Sequence, residues 1–306
     1  MAKVFIDGSA GTTGLRIVER LEGRKDIELI RLPEELRKDD NARRQALNNA
    51  DIAFLCLPDA AAIQAVSMVD NPNTVIIDTS TAHRTAEGWT YGFPELCGKD
   101  KVASSKRIAN PGCHASGFVA LVKPLVDKGI ISKDALLTCF SLTGYSGGGK
   151  GMIADYNSPD RDKLLDGPRQ YGLTQQHKHL KESGVLCSLN NLPAFCPIVA
   201  DFYSGMEVTV PIFKSMIKGT IDDVKAVYKS VYTGDIVKFV DSADEGGFMS
   251  AAAMSGNDGM QITVCGNDDR ILLISRFDNL GKGASGSAIQ NMNIVLGADE
   301  TAGLDL

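Results

Sequence analysis

Asn110-Pro111-Gly112-Cys113-His114-Ala115-Ser116-Gly117 is the stretch of this chain best suited to chemistry. A cysteine follows a turn-forming Asn-Pro-Gly and opens an apolar run, Gly117-Phe118-Val119-Ala120-Leu121-Val122, that continues to Val126 with helical character. A thiol at a helix start meets unpaired backbone N–H groups and the positive end of the helix dipole. Both favour an anion, so both lower the thiol pKa and supply nucleophilic thiolate near neutral pH. The same N–H groups could hold the oxyanion of a tetrahedral intermediate. The plainer alternative is an inert buried cysteine at a helix start.

A nucleophile of this kind needs a proton carrier, and His177-Lys178-His179 offers two. Imidazoles at i and i+2 point apart on a strand and stand about 200° apart on a helix. They are therefore expected not to touch one atom together: one exchanges protons and the other binds substrate. A solvated basic patch is the alternative. His83 and His114 are further candidate bases, although a helical position beside Cys113 is expected to point His114 elsewhere. Four histidines without ligand spacing give no reason to expect a metal.

Gly8-Ser9-Ala10-Gly11-Thr12-Thr13-Gly14 lies between a strand and a helix. Glycines there let the backbone approach a pyrophosphate, and the helix N-terminus offers N–H groups to it. At the end of the second strand, where an acidic residue would take the ribose 2′-hydroxyl of NAD, this chain has Arg31. A cation suits the 2′-phosphate of NADP; a solvated arginine is the alternative. Ser80-Thr81-Ala82-His83-Arg84 follows the fourth strand, at the strand ends where open α/β sheets bind ligands. Arg84 could clamp a phosphate or carboxylate through two hydrogen bonds. Gly147-Gly148-Gly149-Lys150 reads as an anion-binding, gating or simply flexible loop, and Asn279 to Asn293 as a Gly-rich helix entry.

The elements that must position these residues alternate at first. Strands are expected at 3–7, 27–31, 51–57 and 74–78, with helices after the glycine turn and at 60–69, which implies a parallel sheet with crossover helices. After the Cys113 helix the pattern changes. Strands are expected at 135–143, 204–213, 235–240, 260–265 and 270–277, helices at 221–232 and 283–296, a flexible loop at 144–151 and loops over 155–172. The fold class is α/β, a Rossmann-type parallel sheet joined to an α+β domain with a mixed or antiparallel sheet.

The chain's 306 residues suit two domains. A net charge of −6 offers no basic face to nucleic acid. Seven scattered cysteines without a C-x-x-C pair argue against a disulfide framework and fit a reducing compartment. The start runs directly into a strand pattern rather than a charged stretch, an apolar core and a small-residue cleavage site, so a secretory leader is not expected. No apolar run approaches membrane-spanning length. The expected location is the cytoplasm.

Together, the glycine turn, Tyr91-Gly92-Phe93-Pro94-Glu95, the Cys113 octapeptide, Gly144-Tyr145-Ser146-Gly147-Gly148-Gly149, His177-Lys178-His179 and Asn279-Leu280-Gly281-Lys282-Gly283-Ala284-Ser285-Gly286 resemble the short (type 2) N-acetyl-gamma-glutamyl-phosphate reductases of the semialdehyde dehydrogenase superfamily. The likeness runs over about the whole chain. The histidine stretch departs from it, reading Leu180-Lys181-Glu182 where a proline and glutamate are common.

The resemblance implies a dinucleotide-binding domain over 1–114 and 284–306, and a catalytic and dimerisation domain over 115–283. It implies NADP(H) as cofactor, N-acetyl-glutamyl phosphate as substrate, arginine biosynthesis as the setting, and a homo-oligomer, dimer or tetramer. Cys113 would be the nucleophile, with His177 and His179 in the substrate and acid–base places. Gly8, Ser9, Ala10, Gly11, Thr12, Thr13, Gly14, Arg31, Gly283 and Ala284 would hold the cofactor. Ser80, Arg84, Asn110, Gly147 and Lys150 would hold the substrate. Rival readings are an aspartate-semialdehyde or glyceraldehyde-phosphate-type dehydrogenase and, in another class, a non-catalytic dinucleotide sensor.

Overall fold

The computed structural model describes residues 1–306. The chain divides into two compact units, Met1–Gly112 with Ala284–Leu304, and Cys113–Gly283 with Asp305–Leu306. Cys113 and His114 thus fall in the second unit.

The first unit opens with β1 (Ala2–Asp7), α1 (Thr12–Leu21), β2 (Ile27–Ile30), α2 (Asp40–Asn49), β3 (Ile52–Leu55), α3 (Asp59–Ser67) and β4 (Val75–Asp78). Then come β5 (Thr90–Tyr91), α4 (Pro94–Cys97), α5 (Lys99–Ala103) and β6 (Arg107–Ala109). The six strands lie in the order β2-β1-β3-β4-β6-β5, and every pair is parallel. All residues of β3 and β4 are buried, as strands covered on both faces require. Alternate side chains feed two cores. Val4 and Ile6 pack with Ile17 and Leu21 of α1, whereas Phe5 packs with Leu47 of α2 and Ala62 of α3. α2 is mostly polar, with Ala46 and Leu47 as its apolar contribution to the core, too few for a helical period to stand out in sequence. Its start is marked by Asp39, whose carboxylate caps the Ala42 N–H at 2.8 Å.

The second unit contains α6 (Cys113–Asp127), β7 (Thr138–Gly144), α7 (Gly149–Asn157), β8 (Arg169–Gln170), α8 (His179–Leu186), β9 (Ala194–Ala200) and β10 (Met206–Phe213). It continues with α9 (Ile221–Val231), β11 (Val237–Phe239), β12 (Met260–Gly266) and β13 (Arg270–Phe277). The chain then passes through a π-helical turn, Gly281–Ser285, into α10 (Gly286–Leu296), which belongs to the first unit. There Ala288, Ile289 and Met292 join the core of Val4 and Ile6.

The seven strands of the second sheet run β11-β12-β13-β10-β7-β9-β8, with parallel and antiparallel pairs mixed. One face carries α6: a Cβ on Gly117 would strike the Val208 side chain of β10. On the other face, register aligns Phe140 with Thr209 and Cys196, and Pro211 with Leu272. Phe140, Phe213 and Leu272 remain exposed there. No helix is long and apolar enough to cross a membrane.

Two expectations are corrected. The stretch 144–151 is not a flexible loop but a 3-10 turn, Tyr145–Gly148, followed by α7. Residues 155–172 are likewise not all loop. They hold the end of α7, a 3-10 turn at Lys163–Asp166 and β8. Tyr156, Leu165 and Val199 form a small core there, and Tyr145 stacks on Tyr156 at 4.6 Å, order that periodicity in a polar segment does not reveal.

Candidate active site

Cys113 is the first residue of α6 and is half-buried. The π-helical turn runs against it: a Cβ on Gly283 would sit 3.0 Å from the Cys113 Cβ, so glycine lets this backbone close on the thiol-bearing residue. The turn is held by Asp278, whose carbonyl accepts the Gly281 and Gly283 N–H groups at 3.1 and 3.0 Å. Just before the thiol, Asn110 is fully buried. Its side chain donates to the Ala284 carbonyl at 2.9 Å and accepts from Asn291 at 3.3 Å, so the amide placed in substrate binding fastens the chain entering Cys113.

Four polar side chains gather in the second unit: His114, His177, His179 and Tyr171. Ring centroids lie 5.5 Å apart for His114 and His179, 5.7 Å for His114 and His177, and 4.8 Å for His177 and His179. Two expectations therefore change. His114 does not point away, because residue 114 of α6 faces the sheet. Its Nδ1 meets Ser141 Oγ at 2.6 Å and its Nε2 meets the Tyr171 hydroxyl at 2.6 Å. Nor do His177 and His179 diverge. His177 precedes α8 and His179 begins it, so neither strand nor helix geometry applies to the pair. The His179 N–H donates to His177 Nδ1 at 3.2 Å. With Nδ1 accepting, the proton of a neutral His177 ring sits on Nε2.

Burial sets the protonation of this cluster. It pushes His114 down to about 3, with the charges of His177 and Lys178 adding to the effect. His177 is lowered by burial and then by Lys178. The Tyr171 hydroxyl is raised by burial and then by the charge of Cys113.

In the first unit a second polar constellation forms where β4 ends. The fully buried Asp78 carboxylate accepts the Ser80 N–H and hydroxyl at 2.9 and 2.7 Å and meets His83 Nδ1 at 2.6 Å. His83 stacks on Trp89 at 4.0 Å. Arg84 donates to the carbonyls of Asn110 and Thr79 at 3.0 and 2.9 Å, drawing together the ends of β4 and β6. Ser80 is thus fixed by Asp78, which is absent from the expected site, and Arg84 by the Asn110 and Thr79 carbonyls. Lys150 is exposed in the first turn of α7, and Gly147 lies in the 3-10 turn before it.

The glycine turn joins β1 to α1. Gly8 has φ of +85°, and a Cβ on it would stand 2.2 Å from the Cys56 carbonyl oxygen. No side chain caps the N-terminus of α1, which leaves that end open to an anion. Beside it lies a cleft of about 900 Å³ lined by Gly8, Ser9, Ala10, Arg31, Arg37 and Lys38, among others. Arg31 pairs with Glu22 at 2.6 Å on the surface. The open helix end, the glycine backbone and the adjoining cleft fit a dinucleotide. Sequence reasoning missed Arg37 and Lys38, which stand between β2 and α2 outside any motif.

A dinucleotide fold with a helix-start cysteine and a proton-carrying cluster defines a class, and comparison with known proteins agrees. The family model described as "Semialdehyde dehydrogenase, dimerisation domain" matches residues 113–279. The model described as "Semialdehyde dehydrogenase, NAD binding domain" matches residues 33–104, and the cofactor is a nicotinamide dinucleotide. The chain is 43% identical over 320 positions to N-acetyl-gamma-glutamyl-phosphate reductase 2 of Nostoc sp., covering 99% of each chain. It is 44% identical over 308 positions to N-acetyl-gamma-glutamyl-phosphate reductase of Brucella ovis, covering 96% of this chain and 99% of that one. Among solved structures, aspartate semialdehyde dehydrogenase II of Vibrio cholerae superposes with a TM-score of 0.72 at 16% identity, covering 97% of this chain and 98% of that one, a likeness of fold. The chain belongs to the N-acetyl-gamma-glutamyl-phosphate reductase family within the semialdehyde dehydrogenases.

Proposed function

We propose that the protein reduces N-acetyl-glutamyl 5-phosphate to N-acetylglutamate 5-semialdehyde, releasing phosphate, through an acyl thioester on Cys113. The observation that carries this reading is Cys113 at the N-terminus of α6, where the next residue, His114, packs in a cluster with His177 and His179. The relatives' printed names supply the substrate.

The thiolate attacks the acyl carbonyl, and the oxyanion is held by N–H groups at the start of α6. The C–O bond to phosphate breaks, phosphate leaves, and the acyl group stays on sulfur, which splits one difficult reduction into two easier steps. When bound, the dinucleotide supplies the hydride. The tetrahedral oxyanion collapses to aldehyde and frees the thiolate. The proton consumed overall passes through His177 Nε2, with His179 positioning the substrate. Ser80 and Arg84 take the phosphoryl or carboxylate group, and Gly147 with Lys150 adds a second anion contact.

The cofactor is NADPH. Gly8 to Gly14 and the end of α1 hold its pyrophosphate, Ala284 and Gly283 line its other end, and Arg31, Arg37 and Lys38 meet the 2′-phosphate. The exposed apolar face of Phe140, Phe213 and Leu272 is the homo-oligomer contact, in a region whose family model carries the dimerisation name. Seven free cysteines favour the reducing cytoplasm.

Cys113→Ser should lower turnover of N-acetyl-glutamyl phosphate at least about a thousandfold, as loss of a nucleophile does elsewhere. Retention within tenfold overturns covalent catalysis. Faster turnover of aspartyl phosphate by the parent enzyme would reassign the substrate.

A further inference from the structure

We infer that His83 Nε2 is a phosphoryl-binding group at the end of β4, oriented by Asp78 and Trp89. The inference deepens the function proposed above, which brings a phosphoryl group to this loop, and rests on it.

The loop after β4 spends most of its polar groups on itself. The Ser80 hydroxyl donates to the Asp78 carboxylate at 2.7 Å and accepts the Ala82 N–H at 3.2 Å, so its one proton is committed and it meets a ligand only as an acceptor. Thr81 gives both its N–H and its hydroxyl to Asp59. Arg84 donates to the Asn110 and Thr79 carbonyls. His83 differs from these. Its Nδ1 meets Asp78 at 2.6 Å, whereas Nε2 has no hydrogen-bond partner and is not sealed from solvent, with 12% of the side chain exposed.

The ring is held on two sides. Gly88, at φ of +78°, turns the chain back, and Trp89 stacks on His83 with centroids 4.0 Å and planes 12° apart. Trp89 in turn packs against the core that contains Phe5 and Leu55. On the Nδ1 side stands Asp78, fully buried at the end of β4, where a carboxylate must be met by donors. With the Nδ1 proton given to Asp78, a neutral His83 presents a lone pair at Nε2 and a protonated one presents an N–H.

Phosphate chemistry suits both forms. Inorganic phosphate keeps a P–O–H near neutral pH, which donates to the lone pair, and any phosphoryl oxygen accepts from Nε2–H. A carboxylate, ionised at that pH, offers only the second bond. Arg84, the next residue, supplies positive charge, and strand ends are where open parallel sheets take their ligands.

The chain has one tryptophan and four histidines, so both partners can be read in the full-length protein. Inorganic phosphate should change Trp89 emission saturably and shift the His83 Nε2 resonance in nitrogen NMR. Flat emission with an unshifted Nε2 overturns the site. Acetate at matched ionic strength should have no saturable effect, and acetate as effective as phosphate overturns the phosphoryl assignment. His83→Asn keeps an amide donor near the Nδ1 position for Asp78 but loses Nε2. It should weaken phosphate binding and lower kcat/KM about 10- to 100-fold, the range for a charge-assisted bond, mainly through KM. Parent-like phosphate affinity in this variant sinks the proposal. His83→Gln, whose amide reaches toward the Nε2 position, should recover part of the loss; no recovery assigns the effect to packing and overturns the contact. Failure of the thioester reading is distinct, since it shows as an active Cys113→Ser enzyme whatever the phosphate titrations give.

Discussion

The Tyr232 hydroxyl donates to the Ala120 carbonyl at 2.6 Å. Pro124 lies four residues further along α6 and has no N–H, so it leaves that carbonyl without its helical partner. A side chain at the C-cap of α9 thus makes good a bond missing from α6, and Tyr228 adds a second bond at the Leu121 carbonyl, also 2.6 Å. The helix that begins at Cys113 keeps its proline because another helix satisfies the break.

Tyr232→Phe should therefore destabilise the protein by about 1–3 kcal/mol, the cost of an unpaired buried carbonyl. Urea unfolding at pH 7 measures it, and a change below about 0.5 kcal/mol would mean that the carbonyl finds another donor.

Acid should weaken the fold through His114. Its pKa falls from 6.5 to about 3 on folding, so between those values the unfolded chain binds more protons. Stability from this residue is present above pH 6.5 and is lost as pH drops below it, by about 1.4 kcal/mol per unit. By pH 4.5 the loss approaches roughly 2–3 kcal/mol as an upper bound. His177 shifts in the same direction and adds to the loss. Unfolding curves at pH 7 and 4.5, compared between the parent and His114→Gln, should show a flatter dependence in the variant. Equal slopes would reject the assignment.

Gly8→Ala should abolish dinucleotide binding. The residue sits at φ of +85°, and its new methyl would collide with the Cys56 carbonyl at 2.2 Å. Either the turn moves off the helix end or the unit loses stability. Fluorescence titration with NADPH should show affinity reduced more than tenfold, and a parent-like dissociation constant would rule out the turn as the pyrophosphate cradle.

Removing both Arg37 and Lys38 should separate the two cofactors. Arg37→Ala with Lys38→Ala is expected to weaken NADPH binding about 10- to 100-fold, the range for charge-assisted bonds to phosphate, while NADH binding changes less than threefold. Equal losses for both cofactors would place the 2′-phosphate elsewhere in the cleft.

Charge on the open face of the second sheet should dissociate the oligomer. Phe140 and Leu272 are exposed on one face, and Phe140→Glu with Leu272→Glu puts carboxylates where an apolar contact is expected. Sedimentation velocity should show a shift to monomer, and an unchanged mass would move the contact to another surface.

Local chemistry made much of this protein readable from its residues. Alternating apolar strands and helices announced a parallel sheet because strands buried on both faces must be continuously apolar. A glycine turn before a helix, and a cysteine after Asn-Pro-Gly at another helix start, announced themselves because each motif acts through its own backbone. The histidine cluster could not be read that way. His114, His177 and His179 meet only because residue 114 of α6 faces β7 and because His177 stands just before α8. Ser141 and Tyr171 carry no motif, and their partner lies 27 and 57 residues away in sequence. Spacing governs what neighbours on one element can do, but the meeting of Ser141, His114 and Tyr171 depends on packing among three segments, which tertiary structure alone decides.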